Sequence, residues 1–510
     1  MDPTSPTYTD EKGLALKASP LGPPLDPLPS VPTEDATNVE KGKAPSTFTS
    51  STGGRRMKLS NIVIAPAIIE DDVDVFEQRE DGPDYRGVSF WGAVVLLLKQ
   101  QFGLGVLSLP GILNTMGIVP GLILILFFYV WTTYGDYVIG QFHAKHRGVH
   151  TMGDVGYIMW GPLGRELMGW GFWLFQCFIA GAGMLTISIS LNAITTHGTC
   201  TVVFSLVAMI VIGLGASIRT FKHISWLSWI GMAAILPAIF LVTIACAVAD
   251  RPANAPATGP FDKGLKAFGN PSFVDGIICV VNIVFSYGGS PGFLPVITEM
   301  RDPRQYTKAM FLAQTICVSL YFVITIVLWW SCGQYIASPA LGSAGVLIKK
   351  IGYGIAIPGL LAGPIIFTHM SAKFCFVRAL RGTRHLQDST PLHWIVWLSL
   401  VAVMSGFSFI ISQVIPFFDY LIGLVGAVFA TFFCIVVIGF MWLHDNGQKR
   451  KEGPTSLSYK LLYINSLLMI FLGFALLVMG LYASIDAIKL AFASGNIGSP
   501  FACADNSNSV

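Results

Sequence analysis

Charge is what this chain has little of. Asp, Glu, Lys and Arg make up 12% of its 510 residues, where an ordinary soluble domain carries about 25%. That is too little to coat a water-facing surface, so a soluble globular protein is excluded. Paired cysteines are also missing. The nine cysteines are scattered and none forms a CxxC pair, which removes the usual zinc and thiol redox motifs; no metal and no cofactor is expected. The nine histidines show no His/Asp or Cys/His constellation of the kind that a membrane-embedded enzyme needs, so no catalytic residue is expected. His143, His146 and His150 gather in one loop but lack acidic companions at useful spacing.

Apolar residues are plentiful: 53% of the chain, with a mean hydropathy of +0.63. They gather into blocks of the roughly 20 residues that about 30 Å of hydrocarbon demands of a helix. Eleven such blocks fall near 89–117, 118–141, 167–195, 201–217, 224–249, 272–298, 306–332, 354–377, 392–411, 417–443 and 457–484. The expected fold is therefore an all-α polytopic membrane protein of about eleven helices. Eleven exceeds the seven of a helical receptor.

Lys and Arg orient the spans. One set of loops holds fifteen, from Lys145 to Lys460, and the other holds six: Arg251, Lys263, Lys266, Lys349, Lys350 and Lys489. The richer set faces the cytoplasm. This predicts a cytoplasmic N-terminus and a non-cytoplasmic tail over 485–510. Residues 1–87 are rich in Pro, Ser, Thr and acid, with one short apolar run at Ile62–Ile69. They read as a disordered cytoplasmic tail. Cys200, Cys332 and Cys503 fall in or near loops on the non-cytoplasmic side, where a disulfide is open.

Two spans are interrupted. The first, SFWGAVVLLLKQQFGLGVLSLPGILNTMG, carries Gly103-Leu104-Gly105 and then Pro110-Gly111; the sixth, SFVDGIICVVNIVFSYGGSPGFLPVITEM, carries Gly288-Gly289-Ser290-Pro291-Gly292. A glycine costs about 1 kcal/mol in a helix interior and a proline about 3 kcal/mol. Irregular backbone at membrane depth persists only where protein or a water-filled cavity satisfies it. Each break lies about fourteen residues into its span, and each span opens a set of five. Five is odd, so the second set enters the membrane inverted. That is the layout of a LeuT-type 5+5 inverted repeat, with repeat one near 88–250, repeat two near 272–443 and an extra helix near 457–484.

Unwound backbone beside a half-helix N-terminus suits a carboxylate, and freed carbonyls suit an ammonium. A small zwitterion is thus the expected ligand. The substrate-binding candidates are Phe102, Gly103, Leu104 and Gly105 at the first break, and Phe285, Ser286, Tyr287, Gly288 and Gly289 at the second. Phe172 to Gly183 are expected to contribute to the lining. A side chain at Gly105 is expected to fill the space where the carboxylate approaches.

The pattern KxxxGxGVLSLP at Lys99–Pro110 resembles the first-helix signature of the amino acid/auxin permease family, and EMRDPRQYTKAM at Glu299–Met310 resembles the loop after its sixth helix. The resemblance covers about 88–484 and is nearest to fungal N-system neutral amino acid permeases. It implies a secondary transporter of neutral amino acids with cation coupling; the plasma membrane is expected ahead of the vacuolar one. Vacuolar export or carriage of a specialised-metabolite precursor on the same fold, and a channel, are the alternatives.

Ionisable groups inside a span are costly and point to function. Lys99 lies about 15 Å into the first span, one turn before the break. His369 and Lys373 are four apart on the eighth span, hence on one face. With Ser371 they are expected near Lys99, where a fixed ammonium would repel Na⁺ and leave the proton as coupling ion. Lys99 is then either a bridge between the two helices or a proton carrier. Asp136 and Glu299 are expected at the inner ends of spans two and six, as interfacial groups or as partners of Lys or Arg in an inner gate. Asp275 and Asp419 are expected at the outer ends.

Overall fold

The computed structural model describes residues 87–218, 221–380, 383–386, 390–450, 456–493 and 500–507. The tail over 1–87 lies, but for its last residue, outside them. Fourteen α-helices are found among the described residues: α1 Phe90–Gln101, α2 Leu104–Met116, α3 Ile118–Lys145, α4 Met152–Thr195, α5 Thr201–Ala216, α6 Phe221–Val248, α7 Phe273–Ser286, α8 Phe293–Glu299, α9 Tyr306–Cys332, α10 Val346–Leu380, α11 Pro391–Val414, α12 Phe418–Val425, α13 Val437–Asn446 and α14 Leu457–Ala493. Two single π-turns join α12 to α13. The chain is an all-α polytopic membrane protein.

Each of the eleven expected blocks has a helical counterpart. Nine helical segments are long and apolar enough to cross a membrane, and the bent pair α1–α2 makes a tenth. The remaining block, α5, has 16 residues, or about 24 Å at 1.5 Å per residue, short of a full hydrocarbon crossing. The third span starts earlier than its hydropathy suggests. α4 begins at Met152 behind a capping box of Thr151 and Asp154, and turns sharply at Gly161, where φ is +70° and Pro162 follows. A positive φ of this kind is open to glycine at little cost.

Burial separates centre from rim. The apolar windows of the α7–α8 and α12–α13 spans are both 83% buried, whereas that of α14 is 22% buried. α14 therefore lies at the periphery, with Leu461, Ile464, Phe471 and Val478 exposed. A water-soluble protein would not leave such a face bare; in hydrocarbon it is satisfied. α10 packs along α4 and α6, while α1 and α2 pack on α6, α7 and α9.

Both ends of the broken pair are tied by main chain. At one end Val88 N–H donates to Glu299 O (3.0 Å) and Arg301 N–H donates to Val88 O (3.0 Å). At the other, Ile118 N–H donates to Lys266 O (3.1 Å) and Gly269 N–H to Met116 O (2.7 Å). Cys200 is disulfide-bonded to Cys503, which fastens the C-terminal segment to the start of α5, while Cys332 stays a free thiol.

Candidate functional site

The first break is short. α1 ends at Gln101, Phe102 and Gly103 are extended, and α2 resumes at Leu104 with a bend of 48°. No side chain caps α2, so its first N–H groups are left for another partner. Pro110 sits inside α2 without ending it. The second break runs from Tyr287 to Gly292: a turn closed by Gly288 N–H to Phe285 O (2.8 Å), then one 3₁₀ turn over Ser290–Gly292.

The two breaks are joined to each other. Ser286 Oγ–H lies 3.2 Å from Gly105 O, and 2.8 Å from Asn282 O on its own helix. The Tyr321 hydroxyl, brought by α9, lies 3.1 Å from Gln101 O and 2.8 Å from Ser286 O. Gln100 Nε2 donates to Gly292 O at 3.4 Å. A Cβ on Gly105 would come within 2.6 Å of Ser286 Cα, so glycine there lets the two backbones touch.

A cavity of about 40 Å³ opens between the breaks, room for about three water molecules. Of the nine residues expected to bind substrate, Gly103, Leu104, Gly105, Phe285 and Gly288 line it. The other four are placed elsewhere. Phe102 is buried and stacked on Tyr321 (6.0 Å), Tyr287 leans on the same ring (5.4 Å), Ser286 bonds the Gly105 carbonyl, and Gly289 faces Gln101. From α4 come Phe175 and Ile179, one turn apart within the expected 172–183 stretch. Sequence reasoning missed Gln100, Gln101 and Tyr321, and it missed the α10 wall of Gly359, Leu360, Gly363, Pro364 and Phe367. The spacing Gly359-xxx-Gly363 was the available signal, since small residues four apart admit close approach.

Lys99 is buried, with 7% of its surface exposed, and lines this cavity. His369, Ser371 and Lys373 do not join it there. His369 Nδ1 lies 3.2 Å from Ala216 O, and its ring packs on Trp397, so it faces α5 and α11. Ser371 donates to Gln176 Oε1 (3.1 Å) on α4, and Lys373 is half-buried near the end of α10. The part of α10 that meets Lys99 lies earlier in the helix, at Gly359–Phe367.

The acidic residues also depart from expectation. Asp136 is fully buried rather than interfacial; it accepts from Gln314 Nε2, and its own carbonyl accepts from Tyr306 Oη–H (3.0 Å). Among the described residues no Lys or Arg pairs with it. Glu299 is half-buried, without an ion pair among the described residues, and contributes its carbonyl to the Val88 clasp. Asp275 accepts from Ser272 Oγ–H (2.7 Å) as part of the α7 cap. The histidine loop does find acidic partners: His146 Nε2 lies 2.9 Å from Asp445 Oδ1, Lys145 lies 3.2 Å from Asp445 Oδ2, and His150 N–H donates to Asp154 (3.2 Å). His146, His444 and Asp445 bring three possible ligand atoms within 4.8 Å of one another. With Lys145 on the second carboxylate oxygen, the group forms an ion-pair cluster at the α3–α13 end.

The sequence pattern of the family described as transmembrane amino acid transporter protein matches residues 86–486. A transmembrane transporter of Gibberella moniliformis is 40% identical over 437 residues, covering 86% of this chain and 92% of that protein. One from Fusarium pseudograminearum is 37% identical, covering 86% and 91%. The N amino acid transport system protein of Neurospora crassa is 30% identical over 432 residues, covering 84% and 91%.

Proposed function

Because this chain belongs to the transmembrane amino acid transporter family, we propose that it is a secondary active transporter of neutral amino acids, coupled to protons. It works by alternating access around the cavity between the two broken helices. The observation that carries this reading is the junction itself: two interrupted spans, hydrogen-bonded at their breaks, enclosing a space beside an uncapped helix start.

The main chain supplies the chemistry for a zwitterion. The start of α2 carries about half a positive charge and donates N–H groups to a carboxylate. Carbonyls at the end of α7 have a second lone pair for an α-ammonium. Phe175, Ile179, Phe285 and Phe367 form an apolar pocket without an acid, which selects neutral side chains. About three waters' worth of space is less than an amino acid needs, so binding requires the walls to part. The main-chain ties at the two ends of the broken pair are the contacts that opening would break in turn. The N-terminus is cytoplasmic and the membrane is the plasma membrane.

Protons rather than sodium are assigned because the Lys99 ammonium lies in the cavity, where a poorly screened positive charge repels Na⁺. The test is uptake of radiolabelled neutral amino acids into proteoliposomes, with Na⁺ replaced by choline and the pH gradient varied. Accumulation should persist without Na⁺ and grow with an inward proton gradient. Uptake that vanishes without Na⁺ and ignores pH overturns the coupling; no amino acid uptake in any condition overturns the function.

A further inference from the structure

We propose that Lys99 and Gln101 together form the subsite for the substrate's carboxylate, a reading that rests on the transport of amino acids proposed above. It gives the anion a side-chain counterion in addition to the helix start.

Both residues are more than nine-tenths buried, at 7% and 6% exposed, and both are among the residues that line the cavity. The Lys99 stem crosses Gly231 of α6, and its Nζ ends beside the first break: a Cβ on Gly103 would lie 3.4 Å from it. Among the described residues Nζ has neither hydrogen bond nor ion pair, and no acidic residue lines the cavity. Gln101 is held between the breaks, its Cγ 2.6 Å from where a Cβ of Gly289 would sit. Neither amide atom of Gln101 has a protein partner.

Buried polar groups are almost always satisfied, and a buried charge without a partner is the most costly exception. The Lys99 ammonium in the cavity and the Gln101 amide enclosed beside it point to a ligand that satisfies both once the walls part. A carboxylate has two oxygens and about four acceptor sites. One oxygen takes the Lys99 ammonium, and the other takes Gln101 Nε2 together with an N–H at the start of α2. Gln101 Oε1 is then available to the substrate's α-ammonium. The neighbouring candidates are already engaged: Gln100 donates to Gly292 O and the Tyr321 hydroxyl serves two carbonyls. The α10 residues that line the cavity, Gly359, Leu360, Gly363, Pro364 and Phe367, offer Lys99 no polar side-chain atom.

The test is equilibrium binding to the purified full-length protein in lipid nanodiscs, using L-alanine with L-alaninamide, L-leucine with L-leucinamide, and propionate. Wild type should bind each acid at least about 30-fold more tightly than its amide, the scale on which truncating one partner of a buried charge pair weakens a complex. Lys99→Met should lose that preference, Lys99→Arg should keep it, and Gln101→Ala should reduce it. Equal wild-type affinities for acid and amide overturn the subsite without recourse to any variant. A well-folded Lys99→Met protein that retains the wild-type affinity and preference also overturns it. Lys99-dependent binding of propionate without binding of either amino acid would leave the subsite standing while sinking the amino acid reading. Binding of no carboxylate at all overturns the subsite.

Discussion

Ser286 and Gly105 are 181 positions apart in the chain, yet the serine hydroxyl lies 3.2 Å from the glycine carbonyl and the two backbones touch. This contact locks one broken helix against the other. It also changes what a Gly105 substitution does, because a Cβ there would meet Ser286 Cα at 2.6 Å before it met any substrate. Overpacking of this kind costs about 1–3 kcal/mol. Gly105→Ala should therefore lower the thermal melting point and abolish uptake. Gly103→Ala, whose Cβ would meet only the Lys99 Nζ at 3.4 Å, should melt as wild type does while its uptake falls. Melting curves with transport assays separate the two, and a Gly105→Ala protein of wild-type stability would contradict the packing argument.

Tyr321→Phe removes the hydroxyl that serves the carbonyls of Gln101 and Ser286 while keeping the ring beneath Phe102. Leaving a buried polar group unsatisfied costs about 1–3 kcal/mol. The variant should reach the membrane and fold, with transport reduced by at least about tenfold. Wild-type rates of uptake would mean that the breaks are held apart from this bridge.

Selectivity follows from the apolar lining. Neutral amino acids should compete with one another for uptake, while glutamate and arginine should not, because Phe175, Ile179, Phe285 and Phe367 offer their side chains no counter-charge and the proposed subsite commits the Lys99 ammonium to the α-carboxylate. Competition by arginine or glutamate at concentrations similar to leucine would remove the neutral assignment.

The Cys200–Cys503 pair offers a test of orientation as well as stability. A disulfide forms and persists on the non-cytoplasmic side, which is where the Lys and Arg distribution puts both residues. After reduction, an impermeant maleimide added outside intact cells should label Cys503. Loss of the bridge in Cys503→Ser should cost about 2–4 kcal/mol, read as a lower melting point, with uptake retained because the bridge lies away from the cavity. Labelling only after permeabilisation would reverse the orientation proposed for the chain.

Hydropathy, the positions of the two breaks and the family were legible in the residues alone. Each rests on a local property: a span is a run of apolar residues, and a break is glycine and proline within such a run. The short α5 was the weak point, for its block is barely long enough to register. Tertiary structure alone decided which way each residue turned. Phe102 and Tyr287 were placed against Tyr321 rather than in the cavity, and His369 was turned toward Ala216 and Trp397. Gln314 was brought to Asp136, Asp445 to His146 and Cys503 to Cys200. Such pairings join helices that are far apart in the chain, and nothing in a run of twenty apolar residues records how that helix is rotated about its axis. In a bilayer, hydrophobicity drives insertion but does not favour one apolar helix face over another. Small residues at close crossings and a few buried hydrogen bonds make that choice, and here they set Lys99 and Gln101 on the same cavity.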